Sequence, residues 1–448
     1  MNIHIKLLGL FFVLTILAGC VKEVDVYQEK IALRNKIKRQ LEIPLTHQSK
    51  KGKKNVEELL QRGISRNDAI SIALQHNPHL QADLETLGIA KTDVQQAGLF
   101  TNPAIQTVFY APLRGPTLAN TTQCDINLAD FWLVPLRKKV QQKEFEQTSL
   151  RILSSILDII KETSIAYARV LLYQNLSELY NEIEDKREAL LNAIKYRSQF
   201  GLEDKLDRVR ATTVLAQTKN QSIQNYAHLL EAYAQLRFTM GICPTVEPIT
   251  LTDSLKDSIQ DIAPVETLIS YAQANRPDLL EAQLAEQQYQ AKLSLEKASV
   301  FKEINAGVAF QQEFDRNRGI GASLSFDFPL FDTNQVQVNR TRYLLRQACL
   351  NTKHITFKLS KEIYQLYTRL QALGKQIATY TTTIMPAAQE SLVFADHYQQ
   401  IQQITTPELL HVYTDWFEHK LSLFHLYHEK YQAMIYLERA TAKRITVE

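Results

Sequence analysis

The sequence predicts a mainly α-helical chain with a small β part, and three observations carry that reading. The first is a stretch of alternating residues from Ile304 to Asp327. Ile304, Ala306, Val308 and Phe310 share one parity, Asn305, Gly307, Ala309 and Gln311 the other. After a charged tip, Ile320, Ala322, Leu324, Phe326 and Phe328 alternate with Gly321, Ser323, Ser325 and Asp327. Period-two alternation of this kind is a β-hairpin with one apolar face and one small, polar face. The second observation is that the whole pattern of helix, hairpin, long helix and helix occurs twice, about 200 residues apart. The third is a match of lengths. A helix over 137–199 would run about 95 Å, and helices over 65–100 and 205–240 would together span roughly 105 Å, at 1.5 Å per residue. The second copy repeats the relation, with 334–399 set against 265–302 and 408–442. One long helix therefore lies beside two short ones stacked end to end, in a long antiparallel coiled-coil arrangement.

Residues 1–20 read as a targeting segment. Lys6 supplies a positive flank, and Leu7 to Leu17 is apolar except for Thr15, a run too short to span a bilayer. It ends in Leu17-Ala18-Gly19-Cys20, which matches the bacterial lipobox and marks Cys20 for lipidation. A doubly acylated terminus anchors a protein stably with no spanning helix. Val21 follows where lipoproteins kept at the inner membrane carry Asp, which points to the outer membrane. Residues 21–63 are a polar tether that includes Lys50-Lys51-Gly52-Lys53-Lys54.

The first copy spans 64–241. Ser65 is placed as N-cap with Asp68 three residues on. A strand is expected near Ile105, followed by a turn-rich tip from Pro112 to Thr122 and a second strand running to Pro135-Leu136. The long helix then carries a narrow seam of Leu150, Leu153, Leu157, Ile160, Ser164, Tyr167 and Leu171. A break at Phe200-Gly201-Leu202-Glu203-Asp204 precedes the last helix. After a linker over 242–263, the second copy occupies 264–442 and a short tail 443–448. Its long helix holds Pro386, which predicts a kink or a local unwinding, and its break runs from Ile401 to Pro407.

Four strands cannot close a membrane barrel, because single-chain barrels start at eight, and open edges in lipid leave backbone groups unpaired. If the hairpins lie in a membrane, the protein must oligomerise. Two copies give eight strands and a filled interior; three give twelve and an open lumen. The alternative is a soluble sheet packed on helices. The net charge of +3 makes no case for nucleic acid. Cys124, Cys243 and Cys349 show no metal-ligand spacing, and at least one is expected to be free and buried. No phosphate loop, metal cluster or nucleophile motif appears, so neither an enzyme nor a cofactor is expected.

The order of elements, with Asn77-Pro78 and Arg276-Pro277-Asp278-Leu279, Pro329-Leu330-Phe331-Asp332 and Pro386-Ala387-Ala388-Gln389-Glu390-Ser391-Leu392, resembles the TolC-like outer-membrane efflux proteins. The lipobox makes it similar to their lipoprotein branch. The resemblance covers about 64–442 and both copies in register. It implies a homotrimer in outer-membrane lipid, with a 12-stranded β-barrel continued by a periplasmic helical tunnel. It implies partners too, a periplasmic membrane-fusion adaptor and an inner-membrane pump. Cargo would pass unchanged: small toxic molecules, drugs or metal ions.

Two other roles stay open, the exit duct of a type I protein secretion system and a lipid-anchored periplasmic scaffold with no channel. The resemblance further implies a periplasmic gate at Asp207 and Tyr398, with Glu408 beyond the second tip and His411 where a second acid can occur. An adaptor-contact tip is implied at Phe200, Gly201, Leu202 and Ile401. The family's tip arginine is missing, with Gln402 and Gln403 nearby, and Ile401 replaces the second tip glycine. A plain helix-start acid is the competing reading for Asp207 and Glu408.

Overall fold

A computed structural model describes residues 26, 28, 31, 59–60, 62–111, 113, 118–200, 204–255, 262–401 and 403–443. Cys20, Gly201, Leu202, Gln402 and almost all of the tether lie outside the described residues.

In the first copy, α1 (Arg66–His76) and α2 (Pro78–Ala97) lead to β1 (Ala104–Tyr110) and β2 (Ala119–Asn127), and then to α3 (Asp130–Gln199) and α4 (Lys205–Thr239). The second copy repeats this as α5 (Val265–Asn275), α6 (Pro277–Ala298), β3 (Ile304–Gln312), β4 (Arg318–Phe326) and α7 (Gln335–Thr379). It ends with α8 (Met385–Gln400) and α9 (Thr406–Thr441). The fold is the mainly helical one expected, with one four-stranded antiparallel sheet in the order β1-β2-β3-β4.

Local chemistry sets the ends of these elements. Ser65 and Asp68 form the expected capping box, which satisfies orphan N–H groups at the start of α1. Asn77 ends α1 and caps α2, its Oδ1 accepting from the His79 and Leu80 amides, while Pro78 starts α2 where its missing N–H costs nothing. Asn77 Nδ2 also donates to the Thr239 carbonyl at the end of α4, 3.1 Å away. Arg276 does the same in the second copy, donating to the Ala440 carbonyl at the end of α9 and pairing with Asp278 and Glu362. Each copy is thus closed on itself at its Xaa-Pro step.

Two expectations need correction. The first hairpin differs at both ends of its second strand: the tip does not reach Thr122 and the strand does not run to Pro135-Leu136, because β2 begins at Ala119 and ends at Asn127 and α3 begins at Asp130, with Pro135 inside it. The proline sits near the start of the helix, where it removes at most one hydrogen bond and its fixed φ suits the helical backbone. Cys124, Cys243 and Cys349 are free, yet none of these three is buried within the chain; Cys124 and Cys243 are exposed and Cys349 is half-buried.

Pro386 acts as expected. Between α7 and α8 one π-helical turn, Tyr380–Ile384, interrupts the long helix. Widened turns of this kind absorb a missing backbone donor. The hydroxyls of Thr381 and Thr382 back-bond to the carbonyls of Ile377 and Ala378 at 2.9 and 2.8 Å.

The helices form a wall rather than a ball. Near the strands, neighbours run α2, α3, α6, α7; at the far end they run α4, α3, α9, α8. Helix α3 sits inside this wall along its 70 residues. The expected seam is buried at Leu153, Leu157, Ile160, Ser164, Tyr167 and Leu171. The polar Ser164 in it accepts from Arg66 Nε at 2.9 Å, and Arg66 is ion-paired to Glu438, which ties α1, α3 and α9 together at mid-height.

Candidate functional site

The strands supply one end of the candidate site. Across the sheet, Leu324 registers with Ala306, Val308 with Cys124, and Phe310 with Ile320 and Thr122. Ile304, Ile320, Leu324 and Phe326 therefore share a face, and Asn305, Gly307, Ser323 and Ser325 the other. The apolar face has no cover: Ile105 is 71%, Phe109 68%, Ile320 79% and Leu324 66% exposed. Every residue of β1 is exposed. The outer strands β1 and β4 each keep one unpaired edge, an arrangement that water or lipid tolerates poorly without a further strand.

The helical wall is open on the same two sides. On α7, Thr341, Ala348, Leu359, Ile363 and Leu370 are buried against the chain. Five other apolar residues, Val336, Tyr343, Leu350, Phe357 and Tyr364, recur every seven residues and are all exposed. Residues two apart on a helix lie about 200° apart around it, so this second stripe points away from the first. It is a coiled-coil seam with no partner in its own chain. Basic residues Arg340, Arg342, Arg346, Lys353, Lys358 and Lys361 accompany it, and no acid occurs on α7 before Glu362. The opposite side of the wall, along α2 and the adjoining face of α3, carries a groove lined by His79, Asp83, Asp93, Glu144, Arg151 and exposed Ile89, and a second lined by Lys91, Lys138 and Leu99. Further down that side α4 exposes Leu206, Val209 and Ile223. Sequence reading picked out neither lateral stripe, although the seven-residue spacing from 336 to 364 was there to find.

At the far end the expected gate residues are near their helix breaks but are not joined. Asp207 makes an i,i+3 pair with Arg210 at 3.5 Å. Tyr398 is half-exposed, stacked on Phe394 with ring centres 6.3 Å apart and touching His397. Among the described residues no hydrogen bond links the two. Glu408 closes a capping box with Thr405, accepting from its amide at 3.0 Å and its hydroxyl at 2.7 Å. Those two donors hold its carboxyl below the usual carboxylate range. His411 pairs with Asp415 at 3.4 Å. Of the tip residues, Phe200 and Ile401 are exposed, with Phe200 edge-on to Tyr196.

The tyrosine–carboxylate bond that does form near this end is Tyr413 Oη to Asp396, at 2.7 Å. Burial, and then the bonded carboxylate, push the Tyr413 phenol up. Lys186 of α3 lies 3.4 Å from the same Asp396 and over the Tyr413 ring. Next to it, Arg187 is buried among Thr218, Thr414 and the Phe417 ring, and burial lowers its pKa. These groups bind α3, α4, α8 and α9 into one unit. Sequence reading missed them, because partners 200 residues apart leave no local signal.

The described residues hold no group of three or more potential metal ligands and no helix long and apolar enough to cross a membrane. No family model and no curated protein matches the sequence. Solved structures do match. A structure of CusC, described for folding and transmembrane channel formation, aligns with TM-score 0.73 and 15% identity over 90% of this chain and 96% of that one. The outer membrane protein VceC of Vibrio cholerae aligns at 0.70 and 17%, covering 85% and 97%. The open-state MtrE outer membrane channel of Neisseria gonorrhoeae aligns at 0.71 and 14%, covering 85% and 89%. The chain has the fold of these outer-membrane channels over nearly their whole length.

Proposed function

We propose that the protein is the outer-membrane channel of a tripartite efflux pump, a homotrimeric passive duct for small toxic molecules. The observation that carries this reading is the pair of open sides. Strand β4 and the α7 stripe lie on one side of the chain, β1 and the α2–α3 groove on the other. A surface that fits head to tail onto a different surface of the same molecule builds a ring if the rotation closes. In such a ring the groove's Asp83, Asp93 and Glu144 offer carboxylates to the basic flank of α7. Three chains put twelve strands in one barrel, which leaves an open lumen. Both uncovered faces of the sheet then have an occupant, lipid outside and water inside. A scaffold with no channel would need protein against these strands, and no other part of the chain covers the apolar face among the described residues. The adaptor and pump would meet the end that carries Phe200, Gly201, Leu202 and Ile401, and the lipidated Cys20 would anchor the trimer from the periplasmic side.

Light scattering of the detergent-purified protein should give three times the chain mass of 51.4 kDa, and a monomer overturns the ring. Leu324→Arg should cost about 2–4 kcal/mol per chain if it faces the bilayer midplane, whereas Ser323→Arg is tolerated. Equal damage from both would reverse the assignment of faces. Labelling cells with radioactive palmitate should mark the wild-type protein and leave Cys20→Ala unmarked; an unlabelled wild type removes the anchor.

A further inference from the structure

We infer that Asp125 gives the strand-lined part of the channel a preference for cations over anions. The inference rests on the channel reading above. Within the four strands only Asp125 and Arg318 are charged. Arg318 opens β4 opposite Gln312, at the hairpin tip and on the parity of the apolar face. Asp125 registers with Gly307 and so belongs to the small, polar face. That face therefore carries a single kind of fixed charge, a negative one, and a trimer repeats it three times at one height.

The carboxylate is held in place rather than free to swing. Its Oδ1 accepts from Gln123 Nε2 and from Ser323 Oγ, both at 2.8 Å. Ser323 lies two strands away, on β4, and Gly307 of β3 registers with both Asp125 and Ser323. A side chain at Gly307 would collide with Asp125 Oδ1 and the Cys124 carbonyl. The glycine is thus the window through which Asp125 leans across β3 to reach β4. Residues of β2 and β4 hold the carboxylate, which is the acceptor in both bonds.

Acids outnumber bases around it. Asp125 shares a cavity with Asp130, Glu296, Glu303, Arg137 and Lys302; Asp130, buried just below on α3, is bonded by the Thr101 amide and ion-paired to Arg137. Beyond the strand ends Glu303 and Asp327 continue the parity of Asp125, and Lys302, the other cation of that cavity, has the opposite parity. Rings of carboxylates select cations in other pores by raising the local cation concentration. The cargo favoured here is accordingly cationic or zwitterionic, and anions are disfavoured.

Wild-type trimer in planar bilayers under a potassium chloride gradient near 0.1 M, where the screening length is about 10 Å, should reverse on the cation side of zero. Asp125→Asn should lower the cation-to-anion permeability ratio by about twofold or more. Adding Ser323→Asp to Asp125→Asn should restore it, since the charge returns on the bonded neighbour. Near 1 M salt, where the screening length is about 3 Å, the wild type and Asp125→Asn should converge. Open channels with the same ratio in both proteins overturn the inference and leave the channel reading intact. Loss of the ratio without rescue by the double variant also overturns it. Should Asp125→Asn fail to assemble, Ser323→Lys reads the same field, and an unchanged ratio there is equally fatal. Wild-type trimer that forms no channel overturns the channel reading, and this inference with it.

Discussion

The two copies of the repeat share their elements and differ in where their long helices end up. Helix α3 is internal: α2 and α6 flank it near the strands, α4 and α9 at the far end. Its counterpart, α7 with α8, forms one side of the wall and leaves a heptad stripe in the open. The turns into these helices differ too. Only Leu128 and Ala129 separate β2 from α3, whereas residues 327–334 separate β4 from α7 and end in Asn334 with φ 62°. The copies finish alike, with a left-handed residue after the last helix, Gly241 at φ 73° and Ala442 at φ 52°. At Gly241 a side chain would meet the His76 carbonyl oxygen at 2.5 Å, so only glycine fits; Ala442 accepts the strained conformation at a cost of about 1–2 kcal/mol. The two copies share the order of their elements, and closing a wall out of two unequal halves gives those elements different surroundings.

The sharpest way to break the comparison is to place a charge on each long helix. Ile183 of α3 has no exposed surface, while Leu350 of α7 is 60% exposed. Ile183→Asp buries an unpaired carboxylate and should cost on the order of 4 kcal/mol or more, so the chain itself fails to fold. Leu350→Asp should leave a folded chain with unchanged helical circular dichroism that no longer runs as a trimer in detergent. If Leu350→Asp keeps the trimer, the stripe is not an interface and the two helices are less different than they look.

Much of this was legible in the sequence. Alternation from Ile304 to Asp327 marked the strands, Ser65 and Asp68 marked a helix start, and the seam through Ser164 marked the buried face of α3. What periodicity conceals is occupancy. A stripe such as Val336 to Tyr364 looks the same whether its partner is in the same chain or the next. The Arg66–Glu438 pair, 372 residues apart, and the Lys186–Asp396–Tyr413 cluster depend on tertiary packing that no window of sequence contains. The gate was legible only as two helix breaks. Asp207 turned out to pair with Arg210, one turn along its own helix, and Glu408 to cap α9.

One histidine in the last helix of each copy gives a second contrast. His228 on α4 is exposed, stacked on Tyr173 and 3.4 Å from Glu231. His428 on α9 is buried, with Nδ1 unbonded among the described residues. Burial above all, with His425 beside it, pushes the His428 pKa down to about 4. An unfolded histidine titrates near 6.5, so between those values the unfolded chain binds a proton that the folded chain refuses. The contribution of this histidine to stability is therefore full above about pH 6.5 and is lost as the pH drops toward 4, on the order of 3 kcal/mol per chain. Denaturant midpoints at both ends of this window should differ less in His428→Gln than in the wild type. Equal slopes in both proteins would make His428 irrelevant to acid sensitivity.

The smallest expected effect is at the far end, where the long helices of the two copies stop. Asp207 follows the first break and Tyr398 precedes the second, so in a ring of three chains the two types of residue alternate around one mouth. Within a chain each already has a partner, Arg210 for Asp207 and the Phe394 ring for Tyr398. A bond between them would then run from one chain to the next and would have to displace the Arg210 contact. A hydrogen bond to a charged acceptor contributes about 1.5–3 kcal/mol when shielded, and Tyr398, 42% exposed, falls below that range. The Tyr413–Asp396 bond is better shielded on its tyrosine side, with Tyr413 buried where Tyr398 is exposed, and with the Lys186 contact it holds the helices together just above. A closed mouth would therefore depend first on those groups and only weakly on Asp207 and Tyr398. Asp207→Ala with Tyr398→Phe should raise single-channel conductance in planar bilayers modestly. Tyr413→Phe with Asp396→Asn, which removes one of the side-chain bonds between α8 and α9, should raise it more. The reverse order would return the gate to the helix breaks, and no change in either variant would move it beyond this end of the wall.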